Sequence, residues 1–130
     1  KSGLKGLAGD NDMRQVRELA RSGDQSARKR AREALDVYVN RIVKYIGAYT
    51  AEMGGVDVIT FTAGIGENDI DLRYEVCKRL EPLGVLLDEE ANNQRARHPI
   101  TISQRGSVCR VMVVPTNEEL AIATQAMTVI

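Results

Sequence analysis

Charge of one sign is what this sequence lacks. Eighteen Lys and Arg stand against 18 Asp and Glu, for a net charge of zero, so nothing in the balance draws the chain to nucleic acid or to an anionic membrane. Long apolar runs are missing too. None approaches the length of a membrane span, and no signal-peptide pattern stands at the start. Histidine is scarce: His98 alone, before Pro99 in a polar stretch and with no visible partner, reads as an ordinary surface residue. Cys77 and Cys109 are far apart and outside any CxxC. They read as buried or indifferent thiols in a reducing, cytoplasmic setting. The chain offers no metal cluster of His and Cys, no nucleophile–base pair and no close catalytic dyad. It also opens without Met, and Lys1-Ser2-Gly3-Leu4-Lys5-Gly6 reads as a passage already under way, the expectation being a piece of a longer chain. What remains is globular: 130 residues, 43% apolar and 28% charged, the size of one ordinary domain.

The most informative stretch is Val56 to Asp69, VDVITFTAGIGEND. Val56, Val58, Ile59 and Phe61 fit a parallel strand covered on both faces in an α/β sheet. Gly64 and Gly66 lack Cβ, so the chain there can turn through positive φ and admit another group close to the backbone. Asn68 or Asp69 can cap a helix from about Ile70 to Leu80. A strand, a glycine turn and a helix start make a place for a polar, phosphorylated ligand. The signal has limits. No Lys follows the glycines as in a P-loop, and the spacing is not the longer dinucleotide fingerprint. Glu67, Asn68, Asp69 and Asp71 disfavour a bare triphosphate, so contact with a nucleoside or ribose fits as well. A tight connection with no ligand is the plain alternative.

Residues Lys1 to Asn11 hold three glycines and read as loop. Asp10, Asn11 or Asp12 can cap a helix through about Arg21, which Ser22-Gly23-Asp24 closes while capping the next. That next helix is predicted from Gln25 to Met53, stopped by Gly54-Gly55. Ala31, Ala34, Leu35, Tyr38, Ile42, Tyr45, Ile46 and Tyr49 recur in it at three- and four-residue steps, as a core face does. Beyond the stop at Glu81-Pro82-Leu83-Gly84, Val85-Leu86-Leu87 reads as a short strand and Asp88 to about Arg95 as a helical turn. Pro99–Ser103 and Val108–Val114 are predicted to pair as strands. Pro115 breaks the second, and a last helix runs from Asn117 to about Met127. Thr116 and Glu119 have capping-box spacing, which gives Glu119 a structural task. Glu118 has none, so its carboxylate is either solvated or free to face a cleft and hold a cation. The two strand-to-helix corners, Thr62–Asp69 and Pro115–Glu119, fall at the carboxyl ends of strands, where open α/β sheets place ligands.

Three segments together resemble the acetokinase family, which comprises acetate kinases and the propionate and butyrate kinases. They are FTAGIGEN at Phe61–Asn68, PTNEE at Pro115–Glu119, and Asp12-Met13-Arg14. VKYIGAY at Val43–Tyr49 and the opening KSGL are similar as well, and the likeness runs over nearly the whole chain, to the C-terminal part of the family sequence. The resemblance implies an α/β, actin-like ATPase or ribonuclease H-like fold, a mixed sheet flanked by helices. It implies phosphoryl transfer between ATP and acetate with Mg²⁺ to give acetyl phosphate, in a homodimer. It places Asp12, Met13 and Arg14 at the adenosine, Gly64, Ile65, Gly66, Glu67 and Asn68 under the ribose and phosphates, and Glu118 at the magnesium. It implies no catalytic residue in this segment, since the acid-binding and transition-state residues precede it. The family usually has three residues between the glycine matching Gly9 and the Asp of the triplet; here only Asp10-Asn11 intervene.

Overall fold

The computed structural model describes residues 3–116 and 118–129, without the side chains at 117–122. The order is α1 (Gly3–Ala8), α2 (Met13–Ser22), α3 (Gln25–Met53), β1 (Val58–Thr62), α4 (Ala63–Asn68), α5 (Ile70–Arg79), a 3₁₀ turn (Glu81–Leu83), α6 (Glu89–Asn92), β2 (Ile100–Thr101), β3 (Arg110–Val114) and α7 (Glu118–Val129). Local chemistry sets most of these bounds. Asp12, Asp24, Asp69 and Asp88 each accept a backbone N–H in the first turn of the helix they precede, satisfying a donor the helix itself leaves orphaned. Gly54 and Gly84 stop their helices in the left-handed region, at φ 76° and 84°.

The sheet runs β1–β3–β2. β1 lies parallel to β3, with Val58 opposite Arg110 and Thr62 opposite Val114, and β2 is antiparallel to β3 with Ile100 opposite Val113. That register is what positions the site. Because β1 and β3 are parallel and end level, the corners that follow them emerge side by side at one edge of the sheet.

Two apolar clusters share α3. Its first half packs Ala31, Ala34 and Leu35 against Met13, Val16 and Ala20 of α2. Farther along, Val39 joins Phe61, Leu72, Val76, Leu80, Ile102, Val111 and Val113 between helix and sheet. Cys77 and Cys109 are buried in this second cluster and unbridged.

Several expectations give way. The opening is not loop throughout: Gly3–Ala8 is helical, because Leu4 and Ala8, one turn apart, pack against the α2–α3 cluster. Tyr45 and Tyr49 continue the stripe of α3 in sequence, but they stand 49% and 56% exposed and stack on each other at 6.1 Å. β1 is covered on one face only, with Phe61 its sole buried residue: Ile59 and Phe61 pack into the core, while Val58, Thr60 and Thr62 on the other face are exposed. The stretch 85–87 contributes one bridge, Leu87 to Ser103, rather than a strand. The glycine turn is a helix, α4, and its positive φ falls on Ala63 at 59°. The helix begins the moment β1 ends, so the reversal must occur at that position. No described helix is long and apolar enough to cross a membrane.

Candidate functional site

The start of α2 is built from its own acids. Asp10 Oδ1 accepts the Asp12 N–H at 2.8 Å, which turns the shortened loop into a tight side-chain cap. Asp12 Oδ1 then accepts the Arg14 N–H at 2.9 Å, and the Arg14 guanidinium returns to the same carboxylate at 3.0 and 3.3 Å. Those guanidinium bonds, helped by the amide, hold the Asp12 carboxyl below its usual range. Met13 points inward, into the α2–α3 cluster.

Across from it stands α4 with the start of α5. Asn68 Nδ2 donates to Gly64 O at 2.8 Å, pinning the turn. Asp69 caps α5 by accepting the Leu72 N–H at 2.9 Å and also accepts from Arg17 Nε at 2.9 Å. Arg17, on α2, has Glu75 3.6 Å away as well, and Arg21 Nη2 donates to Asp71 at 3.0 Å. A ladder of charge thus ties α2 to α5 over 50 and 52 residues of sequence. Arg17 Nη2 is buried without a hydrogen-bond partner among the described residues.

Between these walls lies a cleft of about 970 Å³, lined by Asn11, Asp12, Met13, Arg14, Arg17, Gly64, Ile65, Asn68, Asp69, Ile70, Asp71 and Asn93. That is the size of a small-molecule site. Of the residues named from sequence, it brings together Asp12, Met13, Arg14, Gly64, Ile65 and Asn68. A Cβ placed on Gly64 would meet nothing within 4 Å, so the backbone there is open to an incoming group.

Gly66 and Glu67 lie outside the lining. A Cβ on Gly66 would come within 3.3 Å of the Phe61 carbonyl carbon, so this glycine lets α4 fold back on β1. The Glu67 carboxylate turns to the other corner, where Oε1 accepts the Thr116 amide at 2.6 Å and the Thr116 hydroxyl at 2.9 Å. The amide bond first, then the hydroxyl, lowers the pKa of Glu67. The two corners are therefore joined directly. Glu118 opens α7 just beyond Thr116, but its side chain and that of Glu119, the expected capping partner of Thr116, lie outside the described residues. Among the described residues no three His, Cys, Asp or Glu gather as a metal site. Sequence reasoning missed Arg17, Asn93 and the bond from Glu67 to Thr116. Arg17 and Glu67 bind partners some fifty residues away, and Asn93 reaches the cleft only through the fold, which no local pattern reveals.

A sequence profile of the acetokinase family matches residues 1–124. The chain belongs to the acetokinase family. It is 54% identical over 127 residues to the acetate kinase of Leifsonia xyli subsp. xyli and 49% identical over 129 residues to that of Oleidesulfovibrio alaskensis, covering 98% and 99% of this chain and 31% of each relative. The crystal structure of Porphyromonas gingivalis acetate kinase superposes with a TM-score of 0.82 at 41% identity, over 98% of this chain and 31% of that one. That of the Entamoeba histolytica acetate kinase gives 0.86 at 30% identity, over 96% and 33%. A propionate kinase from Francisella tularensis gives 0.78 at 36% identity, over 94% and 30%. The actin-like ATPase fold expected for an acetokinase is the fold of these neighbours. The chain spans roughly a third of their length.

Proposed function

We propose that this acetokinase segment, as the C-terminal portion of a longer chain, supplies the nucleotide side of an acetate kinase, which transfers a phosphoryl group reversibly between ATP and acetate. The observation that carries the reading is the meeting of Asp12–Arg14 with Gly64–Asn68 across one cleft. Its lining suits ADP or ATP at the nucleoside end. Ile65 and Ile70 offer apolar surface to a base, and Asn11, Asn68 and Asn93 offer amides to a ribose. Three carboxylates (Asp12, Asp69, Asp71) against two guanidiniums (Arg14, Arg17) leave the lining one negative charge in excess, which disfavours unshielded phosphates. The phosphates then require a cation, and Mg²⁺ held by Glu118 would neutralise the charge on the moving phosphoryl group. In this reading Gly66 and Glu67 serve the site from behind α4 rather than by touching the nucleotide. Binding and orienting nucleotide is this segment's share; the groups that bind acetate and meet the transition state belong to the rest of the protein, as would much of a homodimer interface.

The likeness to a propionate kinase keeps one second reading open, the same chemistry on propionate or butyrate, because in this reading the acid is bound by the rest of the protein. Assaying the complete chain for hydroxylamine-trapped acyl phosphate with ATP and Mg²⁺ on acetate, propionate and butyrate checks both. Acetate is expected to give the highest kcat/KM. Preference for a longer acid would support the second reading, and no acyl phosphate from any acid would defeat the kinase assignment.

A further inference from the structure

Arg73, on α5, is the largest fully buried side chain of the described chain, 1% exposed. Guanidinium keeps its charge in proteins, and a charge at that depth destabilises the fold unless its donors are used. No carboxylate among the described residues forms an ion pair with it. Every bond it makes goes to an uncharged oxygen: Nε to Asn92 Oδ1 at 2.7 Å, Nη2 to Asn92 O at 2.9 Å, and Nη1 to Gly66 O at 3.0 Å and Glu67 O at 2.6 Å. Asn92 is itself fixed, donating Nδ2 to Ile70 O at 3.1 Å.

The two loop carbonyls explain the arrangement. α4 has six residues, two of them glycine, too few to sustain a helix alone. Its final carbonyls lack partners within the helix and carry the negative end of its dipole. Arg73 satisfies two of them from beneath. Glu67, held by its carbonyl on that side, extends its carboxylate on the other to Thr116. A continuous polar line runs from α6 through Arg73 and Glu67 to the corner that begins α7.

We propose that Arg73 is the positioning residue of this site. By fixing the carbonyls of Gly66 and Glu67 it sets the α4 wall of the cleft, and through Glu67 it sets the Thr116 corner from which Glu118 departs. What is positioned rests on the nucleotide reading above; that Arg73 positions it rests on the buried geometry alone. Arg73 itself is buried and outside the cleft lining.

The test uses the complete acetokinase chain with Arg73→Lys, which keeps the charge but cannot span four acceptors, and Thr116→Val, which removes the hydroxyl bond to Glu67 at the far end of the line and leaves the amide bond in place. In Arg73→Lys, KM for ATP and the half-saturating Mg²⁺ should each rise about tenfold or more, while KM for acetate stays within about twofold. Amide exchange at Ile65–Asn68 and Thr116 should quicken about tenfold or more, with β3 amides unchanged. Thr116→Val should show the same split at about threefold, and it decides the matter if Arg73→Lys does not fold. Parallel movement of all three constants would mark Arg73 as a general structural residue and overturn the proposal, as would unchanged exchange in the loop. If the unmodified chain makes no acyl phosphate, the kinase reading fails, and the exchange measurement still decides whether Arg73 holds the loop.

Discussion

Gly64 and Gly66 sit two positions apart in one short helix, yet they lack side chains for different reasons. Beside Gly64 there is open space on the cleft side; beside Gly66 there is the backbone of Phe61 at 3.3 Å. Valine at the two positions should therefore separate binding from folding. Gly64→Val is expected to weaken Mg·ADP binding by about tenfold or more, or ~1.4 kcal/mol, by filling the space the ligand needs, with little change in the denaturation midpoint. Gly66→Val should instead destabilise the protein by about 1–3 kcal/mol through overpacking. Titration calorimetry and urea denaturation of the complete chain read the two effects. Both glycines are legible in the sequence as a place where side chains are unwelcome; which neighbour forbids them is a fact about β1 and the cleft. Cys77 makes a second prediction at this scale. Burial first, with Cys109 adding to it and Arg73 opposing, pushes its thiol from 9.0 to about 12. The folded chain keeps it neutral where the unfolded chain would ionise it. Its contribution to stability is whole below pH 9.0 and falls away as pH rises toward about 12. Denaturation midpoints should decline across that window, and Cys77→Ala should flatten the decline. A thiol that reacts at pH 8 in the native protein would contradict the burial.

Helices α2, α3 and α5 announce themselves through Asp12, Asp24 and Asp69 at their starts and through Gly54 at the end of α3. Capping is local chemistry, so a reader of the sequence can find it. α1 and α4 do not announce themselves. Their glycines read as turns, and what supports them as helices is packing and bonding to other elements: Leu4 and Ala8 against α2 and α3, and Arg73 of α5 beneath α4. Between the elements, Asp69 carries two tasks, capping α5 and anchoring α2 through Arg17, with both side chains largely buried at 12% and 14% exposed. Asp69→Asn keeps an acceptor for the Leu72 amide but loses the charge, and should cost about 1–2 kcal/mol. Asp69→Ala also loses the cap and should cost about 1 kcal/mol more. Denaturation of the two variants beside the parent measures the difference. Equal stabilities for Asn and Ala would show that the cap contributes nothing here.

For the molecule as a whole, surface is the telling quantity. The chain exposes 9072 Å², against roughly 6,800 Å² for a compact monomer of its mass. The excess fits an architecture of two clusters strung along α3, an open edge at β1, and apolar side chains such as Val58, Tyr49 and Met53 left in solvent. VDVITFT reads in sequence as a strand covered on both faces, and here one face is bare. That mismatch agrees with a chain that spans 31% of its relatives. The same scale holds the central claim, that segments some fifty residues apart enclose one nucleotide site. The charge ladder from α2 to α5 is what brings them together, and it is not visible in composition or periodicity. Hydrogen exchange of the complete chain with and without Mg·ADP tests this most directly. Slowed exchange is expected at Asp12–Arg14 and at Gly64–Asn68 together, over one range of nucleotide concentration; protection at only one of the two segments, or at neither, would contradict it.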